Sequence, residues 1–452
     1  MKKRYNRREF LKVSGSAIGS MGFAGLAIPG MARSAMQTSE QPVRLGFVGI
    51  GGRGSYHLDS ALGIPGVEVP ALCEIRDDRL QRAREWVEQS GRPTPGLYGR
   101  TETDFRRMCE TEELDAVICS TNWKWHAPVC LSAMRNEKHA VTEVPIIQTV
   151  DEAWDIVETY EKTGYWATLA LEQVLLESSG GLYLTILNMI RQGMFGDIIH
   201  AEGGYIHDLR FVKHDPEREP WRLQHSIDRN GNLYPDHPMN RIMPHMDINH
   251  GDRFDKIVSM SSKAVMLNRY AREYYGPDHP NVTMDMNQGD YNASLIRTVN
   301  GKLVTLNFDT NTPHPRGLYR MQGSEGVFLD GRGLSGPQVY FDGISPEAHE
   351  WEPADEYITE HKHPALKNYN PSERQAIRGH GSGSRETPLT WHLLVKNLRE
   401  DTMPYFDVYD SVTGSVTSPL SEQSVANRSR PVEYPDFTRG KWKTRPPISI
   451  EV

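Results

Sequence analysis

The sequence predicts an α/β protein in which an N-terminal, doubly wound parallel sheet precedes an α+β domain with a mostly antiparallel, open sheet. Three observations point there. Short apolar runs alternate with amphipathic stretches from residue 43 to about residue 172, the rhythm of βαβ units. A glycine-rich turn closes the first apolar run. Beyond about residue 175, strand-like runs separated by long polar loops replace that rhythm, as in antiparallel sheets.

The elements follow in order. A strand at 43–48 leads through the turn to a helix at 54–63, a strand at 67–73 and a helix at 77–90. A helix near 102–110, a strand at 115–120, a helix at 127–136 and a strand at 139–144 come next. A helix at 151–163 and a strand at 166–172 complete a first domain over 43–173. The second domain, 174–452, opens with a helix at 182–193 and continues with strands near 198–206, 257–266, 291–299 and 302–309. Residues 207–256 read as a long loop and 377–386 as a mobile one.

Composition narrows the function. A chain of 452 residues exceeds one ordinary core, and its 38% hydrophobic residues together with 39 glycines make an apolar share of about 47%, that of a globular protein. A net charge of −8 argues against nucleic acid as a partner. Cys73, Cys109, Cys119 and Cys130 fit neither a CxxC pair nor a zinc pattern, so they read as buried thiols and no metal site is expected.

Residues 1–35 read as an address, with a polar linker at 36–42. Arg7-Arg8 and Phe10-Leu11 precede an apolar stretch, Val13 to Ile28, too rich in Gly, Ser and Ala for a lasting membrane span. Ala32, Ser34 and Ala35 offer a cleavage site. The pattern resembles a twin-arginine export signal. That implies the twin-arginine translocase as a transient partner, no stable membrane insertion, and a periplasmic or otherwise exported protein.

The turn reads Gly49-Ile50-Gly51-Gly52-Arg53-Gly54, directly after a strand and at the start of a helix. Gly49, Gly51 and Gly54 supply the GxGxxG spacing of a Rossmann dinucleotide site, where the backbone approaches a pyrophosphate at a helix N-terminus. Glu74 ends the next strand at the distance of a ribose-binding acid, and its charge favours NAD over NADP despite Arg53 and Arg76 nearby. Two more blocks, Asn122-Trp123-Lys124-Trp125-His126-Ala127-Pro128 and Thr142-Glu143-Val144-Pro145, follow successive strands, where ligand crevices form.

Together these three blocks resemble the Gfo/Idh/MocA oxidoreductases, whose third block is Glu-Lys-Pro. Val144 stands where that Lys would assist proton removal from an alcohol, so the base must come from elsewhere. Further segments resemble one branch, the NAD-dependent glycosidases of glycoside hydrolase family 109. They include Glu202-Gly203-Gly204-Tyr205, Trp221-Arg222, Asp228-Arg229-Asn230-Gly231, Leu233-Tyr234-Pro235 with His237, Asp407-Val408-Tyr409-Asp410 and Pro419-Leu420-Ser421-Glu422-Gln423-Ser424.

The resemblance implies that Gly52, Arg53, Glu74, Trp123, His126, Glu143, Val144 and Gln173 contact NAD, with Tyr234 and His237 beside the nicotinamide. It implies that Tyr205, Arg222 and Tyr234 contact a sugar, the carbohydrate substrate being a terminal α-linked N-acetylgalactosamine. His237 and Tyr234 are then the candidate catalytic pair, and superfamily precedent implies a homo-oligomer. Two departures fall at the sugar site: Leu176 replaces a Tyr, and Pro313-His314-Pro315-Arg316 replaces a Pro-Arg-Pro-Tyr segment. The alternative function is an NAD-dependent sugar or polyol dehydrogenase.

Overall fold

In the computed structural model the described residues are 42–171, 181–314, 317–331, 335–367 and 388–450. The expected export segment, the loop 377–386, and Gln173, Leu176 and Arg316 lie outside them.

The first sheet contains β1 (Val43–Val48), β2 (Val67–Cys73), β3 (Gly96–Tyr98), β4 (Ala116–Cys119), β5 (His139–Thr142) and β6 (Ala167–Thr168). Its order is β3-β2-β1-β4-β5-β6, and every neighbouring pair is parallel. β4 is buried at all four positions, because helices cover both faces. The chain winds one way from β1 to β3 and the other way from β4 to β6. A crevice therefore opens at the carboxyl ends of β1 and β4.

The second sheet contains β7 (Ile198–Ile206), β8 (Phe254–Ser261), β9 (Asn292–Thr298), β10 (Leu303–Asp309), β11 (Leu318–Gly323), β12 (Gly326–Gly331), β13 (Gln338–Phe341), β14 (Glu352–Pro353) and β15 (Val432–Glu433). It is nine-stranded, in the order β14-β13-β12-β11-β7-β10-β9-β8-β15. Among the described residues only β7 and β10 pair in parallel within it. β9 alternates strictly between buried and exposed residues, as a strand covered on one face must.

Three expectations need correction. The strand expected at 166–172 shrinks to Ala167–Thr168, because the amide of Leu169 leaves the ladder for Ser411 Oγ at 3.1 Å. The strand expected at 257–266 lies at Phe254–Ser261. A helix at Met266–Tyr275 takes over, its start held by Asp290, whose carboxylate accepts the amides of Val265 and Met266. The long loop 207–256 holds three helices, Arg210–His214, Trp221–Asp228 and Asp236–His245. Pro238 reads as a loop marker, yet it sits in a first helical turn, where a missing N–H costs nothing.

The C-terminal region returns to the first sheet. In the helix Leu389–Glu400, the buried Trp391 stacks on Phe47 of β1 at 6.4 Å. The next helix, Val408–Ser415, begins in a capping box of Asp407 and Asp410. Its serines reach the nucleotide side: Ser411 meets Leu169, and Ser415 Oγ accepts the amide of Ile146 at 3.2 Å. All four cysteines are buried and free. No helix among the described residues is long and apolar enough to cross a membrane.

Candidate functional site

The glycine turn requires its glycines. Gly49 has φ +80°, and a Cβ there would lie 2.8 Å from the carbonyl oxygen of Ser120 on the neighbouring strand end. A Cβ on Gly54 would lie 1.9 Å from the Gly49 carbonyl oxygen, so the helix Gly52–Leu62 can start there only without side chains. Its first amides face a cavity of about 320 Å³. Gly49, Gly51, Gly52, Arg53, Glu74, Trp123, His126, Glu143, Val144 and Tyr234 all line this cavity. Gly54 lies beneath the turn as a packing glycine.

Glu74 is buried, and its two oxygens accept the amides of Ile50 at 2.7 Å and Arg76 at 2.9 Å. Each oxygen keeps acceptor capacity for a ribose hydroxyl. The two nearby arginines are committed elsewhere: Arg53 Nε donates to Glu143 at 2.8 Å, and Arg76 pairs with Asp78. Ser120 and Asn122 line the same cavity, and their Oγ and Oδ1 are buried without a hydrogen-bond partner. A glycine cradle, a carboxylate and unfilled polar atoms fit a dinucleotide.

His57 joins the site although no sequence signal marked it, because it occupies an ordinary amphipathic helix. Its Nε2 meets Glu143, and burial lowers the pKa of the imidazole. Burial also opposes ionisation of Glu143, but Arg53 and His57 outweigh it and hold this carboxyl well below the usual range. His126 has both ring nitrogens against backbone carbonyls, those of Pro145 at 2.7 Å and Thr121 at 3.1 Å. It ties together the two loops that bear Trp123 and Glu143.

A second, smaller cavity adjoins the first, lined by Tyr205, Lys213, Arg222, His225 and Tyr234 among others. Trp123, Arg222 and Tyr234 form the shared wall. The ring of His237 stacks on Tyr205 at 5.1 Å and lies 4.9 Å from that of Tyr234. Tyr234 stacks on Trp123 at 5.4 Å, and the Arg222 guanidinium stands 5.6 Å from each of those two rings. The structure thus brings Tyr205, Arg222, Tyr234 and His237 together.

Local packing fixes this arrangement. A Cβ on Gly203 of β7 would come within 2.7 Å of Pro238, so the helix Asp236–His245 presses onto β7 beside Tyr205. Arg229 clamps the preceding loop to Glu422 at 2.7 Å and to Gln148 at 2.9 Å. Lys213 is the residue that sequence reasoning missed most clearly. It is buried and donates to Ser226 at 2.9 Å, Thr310 at 2.8 Å and Asn311 at 2.6 Å. Burial, and then the charge of Arg222, pull its ammonium down to about 7.

Residues 43–170 match the family described as the oxidoreductase family with NAD-binding Rossmann fold, and residues 182–444 match the glycosyl hydrolase 109 C-terminal domain. A glycosyl hydrolase family 109 protein of Shewanella pealeana is 36% identical over 465 residues, covering 98% of this chain and 99% of that one. One from Solibacter usitatus is 35% identical, with 98% and 99% covered. A protein of Shewanella oneidensis named alpha-N-acetylgalactosaminidase is 34% identical, with 98% of each covered. Among solved structures, levoglucosan dehydrogenase in complex with NADH and levoglucosan superposes with a TM-score of 0.64 at 18% identity, covering 88% of this chain and 100% of that one. That last likeness speaks to the fold alone. With both halves matched and relatives similar from end to end, the chain belongs to glycosyl hydrolase family 109, as a glycosidase whose Rossmann domain carries NAD.

Proposed function

We propose that this chain is an exported glycosidase that releases a terminal α-linked N-acetylgalactosamine by transient oxidation at carbon 3 of the sugar. The observation that carries the reading is the cluster of Tyr205, Tyr234 and His237: Tyr234 belongs to the wall shared by the two cavities, Tyr205 lines the smaller one, and the His237 ring packs against both tyrosines. The name of the Shewanella oneidensis relative supports the sugar. When bound, NAD supplies a hydride acceptor and donor at carbon 3. Gly51, Gly52, Arg53 and Glu74 would hold it, with Trp123, Glu143 and Val144 on the facing wall.

The protein's own groups then have separable tasks. The His237 imidazole accepts the proton of the carbon 3 hydroxyl, its ring plane fixed by the stack on Tyr205. A carbon 3 ketone acidifies the proton on carbon 2, which Tyr234 helps to remove, with Arg222 placing positive charge beside it. The group on carbon 1 leaves by elimination, water adds, and the proton transfers run in reverse. Tyr205 and Arg222 hold the sugar throughout. No pair of carboxylates flanking the scissile bond is needed, unlike in an ordinary glycosidase.

The N-terminal Arg7-Arg8 pattern supports export in folded form through the twin-arginine pathway. NAD loaded in the cytoplasm can travel inside the folded protein, and a reaction that returns its hydride needs no fresh supply. The second reading is a sugar or polyol dehydrogenase, for which the Rossmann dinucleotide crevice beside a small pocket lined in part by polar side chains would suffice. A panel of chromogenic α- and β-glycosides without added cofactor separates the two. Release of chromophore supports the glycosidase; turnover that requires added NAD and accumulates NADH supports the dehydrogenase. Near-normal turnover by His237→Ala would remove His237 from the mechanism.

A further inference from the structure

Asp236 lies between the two residues assigned to proton transfer and opens the helix Asp236–His245. It is completely buried. Its Oδ1 accepts a hydrogen bond from Ser415 Oγ, and that oxygen accepts the amide of Ile146 at 3.2 Å. A bridge of two hydrogen bonds thus runs from the Tyr234–His237 turn, through the end of the helix Val408–Ser415, to the loop that carries Glu143 and Val144. Asp236 Oδ2 has no hydrogen-bond partner.

An ionised carboxylate with a bare, buried oxygen is costly, whereas a carboxylic acid at the same place costs far less. Burial is the largest influence on Asp236 and pushes it up to about 7, against smaller opposing effects of Ser415 and its own backbone. The titratable groups on the surrounding elements are engaged elsewhere. Tyr205 on β7 bonds His207, and Glu143 bonds Arg53 and His57. Asp410, on the helix that carries Ser415, bonds His250 and Asn249. On its own helix, Arg241 stands over Tyr183, a residue of the helix Leu182–Arg191, and His245 bonds Tyr319 of β11. His237 stacks on Tyr205, and the Tyr234 ring packs tilted against Tyr205.

We propose that Asp236 is a positioning residue held as a neutral carboxylic acid, which joins the Tyr234–His237 turn to the Glu143–Ile146 loop through Ser415; once ionised it grips Ser415 more tightly but draws water to its bare, buried Oδ2, and the turn is displaced. The assignment rests on the role given above to His237 and Tyr234. Its consequence is an alkaline limb in kcat that belongs to a residue outside the reacting atoms.

The experiment compares pH profiles of kcat and KM for the NAD-loaded full-length enzyme and for Asp236→Asn, on the chromogenic glycoside that the wild type cleaves. Asn keeps the shape and an oxygen for Ser415 but cannot ionise. The ratio of kcat at alkaline pH to kcat at mildly acidic pH rises about tenfold over wild type if the carboxyl owns the limb. An unchanged ratio overturns the proposal. Ser415→Ala removes the bridge and leaves the carboxyl in place: kcat falls about tenfold with unchanged bound NAD, and wild-type kcat there also overturns it. Infrared difference spectra of the wild type minus Asp236→Asn across neutral pH report this acid independently of turnover and remove the band of Asp407, which burial also pushes up to about 7. An un-ionised carboxyl band that vanishes on the alkaline side is expected, and its absence at mildly acidic pH contradicts the proposal. Failure of the wild type to cleave any glycoside counts against the proposed function, and the infrared result still decides the state of Asp236.

Discussion

The nucleotide crevice and the pocket beside it share Trp123, Arg222 and Tyr234, yet they are built by opposite means. Backbone defines the crevice: Gly49 and Gly54 let a turn and a helix start come together, and one carboxylate, Glu74, holds two amides. Side chains define the pocket. Rings from β7 and from either side of Asp236 pack on one another, and a buried lysine in the same pocket has three partners on three separate residues. A backbone site fails when a Cβ is added. A side-chain site fails when a group is removed or changes its charge.

The comparison is broken most severely by Gly54→Val. Its Cβ would collide with the Gly49 carbonyl, so the purified variant should carry no NAD and show no turnover. Its melting temperature should fall by the equivalent of about 1–3 kcal/mol of overpacking. Cofactor content after denaturation and a thermal melt check both. His237→Ala acts on the other region alone: NAD content stays, while kcat falls by roughly a hundredfold or more.

Glu74→Gln comes next in size. Removing the negative charge at the ribose end lowers the preference for NAD over NADP by about tenfold, measured by titrating the cofactor-stripped protein with each dinucleotide.

The smallest effects are slopes of stability against pH, and here two buried groups, Lys213 in the pocket and Asp236 between Tyr234 and His237 in the sequence, oppose one another. Asp236 has a raised pKa of about 7, so the folded protein retains its proton where the unfolded chain has lost it. Its contribution to stability falls as pH rises from about 4 to 7. Lys213 has a lowered pKa of about 7, so the unfolded chain holds more protons above that pH, and its contribution rises from about pH 7 to 10. The melting-temperature gain of Asp236→Asn over wild type should therefore be larger at pH 8 than at pH 5. Lys213→Met should flatten the alkaline rise, leaving Asn311 Oδ1 only the long hydrogen bond from Thr310 Oγ1 at 3.5 Å, at a cost of about 1–3 kcal/mol.

The same contrast explains what was legible in the sequence. The crevice is local: strand, glycine turn and helix follow one another within a few residues, and Glu74 ends the next strand, so period and motif suffice. The pocket draws on residues from Trp123 to Asn311 and has no period of its own. Tyr205, Arg222, Tyr234 and His237 could be named only through resemblance to a family. Lys213 and Asp236 escaped because one reads as a surface lysine and the other as a loop acid beside two prolines. Their significance is burial, which no local pattern encodes. The Asp407–Asp410 block was legible as a family signature, and the structure adds its physical reason, a capping box that starts the helix bearing Ser411 and Ser415.

The central claim is a glycoside cleavage that passes through oxidation and returns the hydride. It is tested most directly by letting the purified enzyme, with its own bound NAD and none added, cleave a glycoside to completion in deuterated water. The account predicts many turnovers per enzyme, no accumulated NADH, and a released sugar carrying deuterium at carbon 2. Many turnovers that leave hydrogen at carbon 2 unexchanged would contradict it.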